Sequence, residues 1–183
     1  MKYKLIIILG MLTFLNNPTG FCQSLSNEVG IRIGGYGGYS FVFKKEQSEN
    51  IFRRVRINAG KIDFKKNNNI QSYNLLASVT MGIEKRASLT NNFYIFHGWE
   101  PGLTFGFSGD KELKSIQINP FVGYVFGFMY NLNDKFIIGI ETLPNIYINT
   151  SINPVQGEKA DTNLSAGFDF NSNLIALNLA YRF

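Results

Sequence analysis

The sequence predicts an all-β fold: an antiparallel up-and-down transmembrane β-barrel of about eight strands. Apolar side chains alternate with small or polar ones over segments of about 10 to 16 residues, and a period of two is the pattern of a strand with two different faces. Aromatic residues make up 15% of the chain and charged residues only 17%, with 18 glycines, a composition that favours strands over a charged helical bundle. These segments exceed the usual soluble strand of about 5 to 6 residues, and a tilted membrane strand needs about 9 to 11.

Residues 1–22 are expected to be a secretory signal peptide, which leaves a single barrel domain at 23–183. Lys2 and Lys4 precede an apolar run from residue 5 to residue 15, the layout of a secretion signal. This run is shorter than the about 20 residues that a spanning helix needs. Cleavage is therefore expected, rather than anchoring by a helix.

The cleavage site is expected before Gln23. Gly20 and Cys22 then occupy the minus-three and minus-one positions as small residues. A lipoprotein acylated at Cys22 is the alternative, although the preceding Phe21 is bulky for such a site. In either case the mature fold contains no disulfide and no free catalytic thiol.

The net charge of the mature chain is small. Removal of Lys2 and Lys4 leaves 16 basic residues against 13 acidic ones, so the formal charge falls from +5 to +3. No basic helix or base-stacking motif is visible. Nucleic acid is therefore not expected as a partner.

The first predicted strand spans residues 29–43, with Val29, Ile31 and Phe41 among its apolar odd-numbered positions. Its glycine-rich run at 34–38 lacks the Lys-Ser/Thr of a phosphate loop and is interpreted as room for curvature inside the strand. Residues 51–64 carry basic side chains on both faces and are predicted either as a loop or as a strand that projects above the membrane. The remaining strands are predicted at 73–84, 99–108, 116–130, 136–150, 163–170 and 174–183.

The strand count sets the predicted orientation. If both ends of the domain lie in the periplasm the number of strands is even, and eight is reached only by including 51–64. The connection at 131–134 then becomes an outer loop and the longer segment at 151–160 a periplasmic turn. That arrangement departs from the usual rule of short periplasmic turns.

Charged side chains within the strands fall on the polar face, where they are expected to pair across a narrow lumen. A charge on the lipid face near mid-membrane costs about 2–4 kcal/mol, and a buried charge must be paired or neutralised. Glutamates at these positions could alternatively act as general acids or line an ion path. The predicted lumen cluster consists of Arg32, Glu84, Glu100, Glu141, Asp169 and Arg182.

The last ten residues resemble the C-terminal recognition strand of outer-membrane β-barrel proteins, in which apolar and aromatic residues alternate and the chain ends on Phe. The strand, turn and strand pattern of 119–124 and 133–140 also resembles small OmpA-like barrels. The resemblance implies an outer-membrane location and recognition of the terminal strand by the barrel assembly machinery. The residues that would carry this signal are Ile175, Leu177, Leu179, Tyr181 and Phe183.

The segment 44–66 is strongly basic. It holds eight lysines and arginines against three acidic residues, a net charge of +5. One interpretation is a solvated loop. The other is that Arg53, Arg54 and Arg56 contact the phosphates of surface lipopolysaccharide, because arginine forms charge-assisted hydrogen bonds with phosphate.

His97 is the only histidine, so a site with several histidine ligands is excluded. Some small outer-membrane barrels are lipid A acylases or deacylases that use histidine with serine, but a His-x-Ser spacing is absent here because Trp99 follows Gly98. The preferred interpretation places His97 in an interfacial aromatic belt.

These observations predict a non-enzymatic outer-membrane barrel with a narrow, charged and largely filled lumen, since eight strands enclose little more than side chains. A structural or surface-interaction role follows, with outer-membrane lipid, lipopolysaccharide and the assembly machinery as partners and no cofactor. Two alternatives stay open: a lipid-modifying enzyme centred on His97 or on the lumen carboxylates, and a soluble periplasmic barrel that binds a small hydrophobic ligand.

Overall fold

The computed structural model of the protein describes residues 26–34, 38–59, 62–67, 70–109, 114–153, 161–170 and 175–183. The predicted signal peptide lies outside these residues. Within them, no helix is long and apolar enough to cross a membrane. The strands are β1 (Asn27–Gly34), β2 (Tyr39–Ser48), β3 (Ile51–Ala59), β4 (Ile62–Asn67), β5 (Ile70–Ser88), β6 (Phe93–Gly109), β7 (Lys114–Asn131), β8 (Phe136–Thr142), β9 (Asn145–Asn153), β10 (Asp161–Asp169) and β11 (Ala176–Arg182).

The eleven strands form one closed antiparallel barrel of eight. Strands β3 and β4 both pair with β5 and form one interrupted barrel strand. Strands β8 and β9 both pair with β7 and form a second interrupted barrel strand. Strands β10 and β11 form the last barrel strand, in which β10 pairs with β9 and β11 pairs with β8. The barrel closes where β1 pairs with β11, with Val29 opposite Tyr181. The predicted all-β barrel of about eight strands is therefore confirmed.

Two of the predicted strand boundaries are wrong, and the errors cancel in the count. The predicted strand at 29–43 is a hairpin, because Gly34 N–H donates to Gly38 O across the turn between β1 and β2. Val29 pairs with Phe43, so both strands keep their odd-numbered positions outside and the alternation continues through the turn. Gly34 and Gly38 thus flank the connection between β1 and β2, and the rest of the glycine-rich run lies outside the described residues. The predicted strands at 163–170 and 174–183 are two parts of one barrel strand.

Both ends of the described chain lie at one end of the barrel, here called the terminal end. Asn27 and Phe183 exchange two backbone hydrogen bonds there, of 3.0 and 2.9 Å. The turns at 49–50, 89–92 and 132–135 share this end, whereas the connection from β9 to β10 lies at the opposite, far end. The connections at 131–134 and 151–160 therefore lie at the ends of the barrel opposite to those predicted. The sequence predicts one strand where the structure has β1 and β2, so every later strand runs in the direction opposite to the predicted one.

Local turn chemistry explains the tight connections of the terminal end. Asn50 adopts a positive φ of 61°, a conformation that asparagine tolerates better than most residues. In the last turn, Asn133 Oδ1 accepts hydrogen bonds from the backbone N–H groups of Lys135 and Phe136, at 2.9 and 2.8 Å. Such side-chain acceptors replace the partners that the backbone lacks in a turn.

The barrel wall separates an apolar exterior from a mixed interior. Large apolar side chains such as Phe41, Trp99 and Ile140 are exposed on the outside, as a lipid-facing surface requires. The sequence predicts small or polar side chains in the interior, but the interior also contains large apolar ones. An apolar cluster fills one side of the lumen and consists of Phe96, Val125, Met129, Ile137 and Leu143.

Candidate functional site

The centre of the lumen is an ion-pair network built around Arg54. Its guanidinium lies 3.1 Å from Glu84 Oε2, 2.9 Å from Glu141 Oε1 and 2.8 Å from Glu100 Oε2. All four side chains have no exposed surface. One arginine on β3 thereby connects carboxylates from β5, β6 and β8.

Arg86 extends the network toward the terminal end. Its Nη1 and Nη2 donate to the two oxygens of Glu28 at 2.8 and 2.7 Å, a bidentate pair. Its Nε donates to Glu84 Oε1 at 2.8 Å. Arg182 Nη2 completes this end with a 2.9 Å hydrogen bond to Glu28 Oε1.

Three further cations complete the network. Lys44 Nζ lies 2.7 Å from Glu84, and Arg32 Nε lies 2.6 Å from Glu141. Glu100 Oε1 accepts from Arg56 Nε and from Thr80 Oγ1, both at 2.6 Å. Each of the four glutamates therefore contacts at least two cations, and six cations against four carboxylates leave a formal charge of +2 in the network.

Strand register brings these side chains together. Arg182, Glu28, Lys44 and Arg54 occupy directly opposed positions on the four neighbouring strands β11, β1, β2 and β3. Gly82 follows opposite Arg54 on β5. A Cβ atom built at Gly82 would clash with the backbone oxygen of Trp99 and lie 3.0 Å from Glu100 Cα, so glycine allows β5 and β6 to approach closely beside Glu100.

Aromatic rings connect the network to the apolar side of the lumen. Lys44 Nζ lies 5.0 Å from the centre of the Phe96 ring, and the Arg86 guanidinium carbon lies 3.5 Å from the centre of the Phe52 ring. Cations over ring faces are attracted by the ring quadrupole. Removing two charges from water costs several kcal/mol per ion, so the buried charges depend on these multiple contacts.

The network separates two cavities. The far-end cavity has a volume of about 450 Å³ and includes Arg56, Asn119, Asn145, Tyr147 and Asp169 in its wall. The terminal-end cavity has a volume of about 150 Å³ and includes Arg86 and Arg182. The fully buried side chains of Arg54, Glu84 and Glu100 lie between the two cavities.

The predicted lumen residues fall into three groups. Arg32, Glu84, Glu100 and Glu141 lie together in the buried network. Arg182 joins at the terminal end, where 26% of its side chain remains exposed. Asp169 instead lines the far-end cavity, which also contains Arg56.

The three arginines predicted to contact lipopolysaccharide do not act as one group. Arg54 and Arg56 are buried in the lumen at 0% and 4% exposure, so the prediction of a lipopolysaccharide contact is wrong for these two. Their segment forms the barrel strand β3, not a loop. Arg53 is on the outer face, because neighbouring positions of a strand point to opposite sides.

Glu28, Lys44 and the lumen position of Arg54 and Arg56 were missed from the sequence. Odd and even residue numbers separate the two faces of these strands and could have revealed the lumen side chains. In β1, β2 and β3 the buried positions are even-numbered: 28, 32, 40, 42, 44, 52, 54 and 56. Treating residues 51–64 as a wall strand would have assigned both arginines to the lumen.

His97 lies outside the lumen, on the exposed face of β6. The Tyr124 hydroxyl and His97 Nδ1 are 2.8 Å apart. The Tyr124 ring also meets the edge of Trp99, with ring centres 4.9 Å apart. His97 is thus part of an aromatic cluster on the outer wall and is separated by that wall from the network carboxylates.

The proposed assembly residues lie on the outer face of the closing strand and at its end. Ile175 and Phe183 are the most exposed of them. The Tyr181 ring lies between Phe136 and Phe183, with centre distances of 5.3 and 6.4 Å. This arrangement forms an aromatic belt at the terminal end.

Comparison with known proteins identifies the fold and no close relative. No protein-family model and no curated protein sequence matches the chain. A major outer membrane protein from Thermus thermophilus matches with a TM-score of 0.54 at 10% identity, covering 88% of this chain and 100% of that one. Neisserial surface protein A matches with a TM-score of 0.47 at 12% identity over 87% and 94%. Ail, the attachment invasion locus protein of Yersinia pestis, matches with a TM-score of 0.45 at 15% identity over 87% and 95%.

These findings agree with the location predicted from the sequence. A closed barrel with an apolar exterior and a charged interior is the arrangement of proteins that cross the outer membrane with strands. The match to the Thermus protein spans the whole of that chain. The chain therefore has the fold of the small outer-membrane β-barrel proteins.

Proposed function

We propose that the protein is a non-enzymatic outer-membrane barrel with a closed lumen and a structural or surface-interaction role. The observation that carries this proposal is the ion-pair network between the two cavities. A diffusion pore needs a continuous water-filled path, whereas Arg54, Glu84 and Glu100 occupy the lumen without any exposed surface. The network instead ties the strands of the wall together.

The same contacts argue against catalysis by the lumen carboxylates. A general acid must reach the reacting group of its substrate. Glu84, Glu100 and Glu141 are each held by at least two cations and are 0–3% exposed. Their geometry supports a stabilising role.

The far end of the barrel is the candidate interaction surface. Strands β5, β6 and β7 contain 19, 17 and 18 residues, more than the about 9–11 that a tilted strand needs to cross the hydrocarbon. In β5, residues 70–75 pair with β4, beyond the positions of β5 that pair with β3. The wall therefore extends at the far end past the β1–β2 turn, where a surface partner could bind.

Conductance measurements test the closed lumen. The purified barrel is inserted into planar lipid bilayers, with a general porin as the positive control. We expect no stepwise conductance from this protein, because the fully buried Arg54, Glu84 and Glu100 side chains occupy the lumen between the two cavities. Stable single-channel steps at the frequency of the porin would contradict the proposal.

Surface exposure is tested in intact cells. A single cysteine is placed at the far end by Asn74→Cys or at the terminal end by Asp134→Cys, both at exposed positions. A maleimide reagent that does not cross membranes should label the first variant only. Labelling of Asp134→Cys alone would place the terminal end outside and would refute the proposed interaction surface.

A further inference from the structure

The outer wall contains a groove of about 550 Å³ near the terminal end. It is lined by cationic, aromatic and apolar side chains from β3, β5, β6 and β7. Among the described residues that line it, none is a carboxylate. The larger side chains of its lining belong to Arg53, Met81, Ile83, Lys85, His97, Trp99 and Tyr124.

The polar groups of the groove lie near the terminal end of the barrel. Arg53 is the third residue of β3, directly after the turn at 49–50, and Lys85 is three residues before the end of β5. At about 3.3 Å per residue, both lie within about 10 Å of the terminal end. Short turns of outer-membrane barrels face the periplasm, which assigns the groove to the periplasmic leaflet.

The groove changes from polar to apolar along the strands. Lys85 is directly opposite His97, and Ile83 is directly opposite both Arg53 and Trp99. Met81 lies further toward mid-membrane. Its side chain is 46% exposed, and those of Ile83 and Trp99 are 51% and 61% exposed.

Positive charge is concentrated at the polar end of this face. Lys45 and Arg53 are directly opposed on β2 and β3, at exposed and half-buried positions, and like charges directly opposite are destabilising. With its amide oxygen turned toward Arg53, Gln47 accepts from Nη2 and Nε at 2.9 and 3.0 Å. Gln47 orients the guanidinium and is itself uncharged, and Lys45, Arg53 and Lys85 place three basic side chains at this end of the face.

A break in the strand pairing lies in the wall of the groove. The regular pairing of β5 with β6 is interrupted between Thr80–Gly102 and Ile83–Trp99. Pro101, at this break, has no backbone N–H to donate. The register is the same on both sides of this break, and Pro101 itself lines the groove.

We propose that this groove binds one anionic glycerophospholipid of the periplasmic leaflet. Arg53 and Lys85 contact the phosphate, because charge-assisted hydrogen bonds to phosphate are strong. An acyl chain lies along Ile83, Trp99 and Met81. The polar end of the groove faces the headgroup layer and its apolar end faces the hydrocarbon, which is the orientation of a phospholipid in that leaflet.

Trp99 provides a direct measurement, because it is the only tryptophan of the chain. The full-length folded protein in dodecyl maltoside is titrated with short-chain phosphatidylglycerol while Trp99 emission is followed. We expect a saturable spectral change. Lys85→Gln and Arg53→Gln should each weaken the apparent affinity by about two- to fivefold, the range of an exposed ion pair.

Lys135→Gln is the matched control, since Lys135 is an exposed lysine of the same end but lies outside the groove. Its affinity should equal that of the unchanged protein. A non-saturable change, or equal weakening by Lys135→Gln, would overturn the proposal. Native mass spectrometry of retained phospholipid provides a second readout if a variant folds poorly.

Two competing ligands separate the possible sources of the phosphate. Inorganic phosphate at the same concentrations should not change Trp99 emission, because it lacks the acyl chain that contacts the apolar wall. An identical response to inorganic phosphate would exclude the lipid. Tighter binding of purified lipid A than of phosphatidylglycerol would overturn the assignment to the periplasmic leaflet.

Discussion

Arg53 and Arg54 are consecutive in the sequence, but the barrel wall separates their side chains. Arg54 is fully buried in the lumen among three glutamates, whereas Arg53 lines the groove on the outer face. The two arginines have the same chemistry and opposite surroundings. Their difference allows the contribution of the lumen network to be measured directly.

Arg54→Met should be strongly destabilising. Removing one partner of a buried ion-pair network costs about 3–5 kcal/mol, because the remaining charges stay buried. Three glutamates lose a contact in this variant. The free energy of unfolding is measured in urea for the protein refolded into lipid vesicles, with the heat-dependent gel mobility of the folded barrel as the readout.

The control for this measurement is Arg53→Met, which removes the same functional group from the adjacent residue. On the outer wall, a methionine side chain is compatible with lipid. In vesicles of zwitterionic phosphatidylcholine, which contain no anionic phospholipid for Arg53 to bind, its effect on unfolding should be within about 0.5 kcal/mol, as for most surface substitutions. Equal losses in the two variants would show that the network is not what stabilises the barrel.

Gly127→Ala should disturb the apolar side of the lumen. A Cβ atom built at this position would clash with the backbone oxygen of Ile140 on β8 and lie 2.6 Å from Phe96 Cζ, and Phe96 is itself 1% exposed in the apolar cluster. Overpacking of this kind costs about 1–3 kcal/mol. Urea unfolding of the refolded variant measures the loss.

Gly38→Ala is the matched substitution in open space, because a Cβ atom there has no neighbour within 4 Å. It should change the free energy of unfolding by less than about 0.5 kcal/mol. If Gly127→Ala is as well tolerated as Gly38→Ala, both Phe96 and the β8 backbone at Ile140 can move away, and this side of the barrel is looser than its geometry indicates.

The sequence predicts the wall of this barrel better than its connections. Alternation alone locates β5, β6 and β7, because their outer faces must be apolar in lipid. Alternation does not reveal the β1–β2 hairpin. Val29 on β1 lies opposite Phe43 on β2, so odd-numbered residues face outward in both strands and the pattern continues through the turn without a break. Strand count and orientation then depend on a turn that the period of two cannot reveal.

The side chains of the lumen network are likewise only partly predictable from the sequence. Isolated charges in apolar strands, such as Glu84, Glu100 and Glu141, stand out because only the lumen can hold them. The sequence pattern places Arg54 and Arg56 at the surface, because basic residues on both faces of a segment resemble a solvated loop. The apolar cluster around Phe96 could not be predicted, since it depends on which facing positions are glycine across the closed barrel.

The closing contact between β1 and β11 can be tested with a disulfide. Ile31 and Leu179 are directly opposed on the outer face of these strands, and opposed Cβ atoms are about 4.5–5.5 Å apart, close to the range of a disulfide. The double variant Ile31→Cys, Leu179→Cys should oxidise readily. Its boiled mobility without reductant should then differ from that with reductant.

Ile31→Cys with Leu164→Cys is the control, because Leu164 is on β10, which pairs with β9 and not with β1. Both cysteines are exposed in this pair as well. No intramolecular disulfide is expected. Efficient cross-linking of the control, or none in the Ile31 and Leu179 pair, would mean that the barrel does not close through β1 and β11.

Phe183→Ala should slow assembly of the barrel in cells more than it changes the stability of the finished barrel. The Phe183 ring is 62% exposed and meets only the Tyr181 ring among the described aromatic contacts, so little packing is lost. If the assembly machinery reads the terminal strand, insertion depends on this ring. Pulse labelling followed by heat-dependent gel mobility measures the insertion rate.

Phe136→Ala separates recognition from packing in the same experiment. Phe136 also contacts Tyr181, with ring centres 5.3 Å apart, and is similarly exposed at the terminal end, but it belongs to β8 and not to the terminal strand. Its substitution removes an equivalent ring from the aromatic belt. Insertion should therefore slow in Phe183→Ala and remain near normal in Phe136→Ala. Equal slowing in both variants would assign the effect to the aromatic belt as a whole and not to recognition of the last strand.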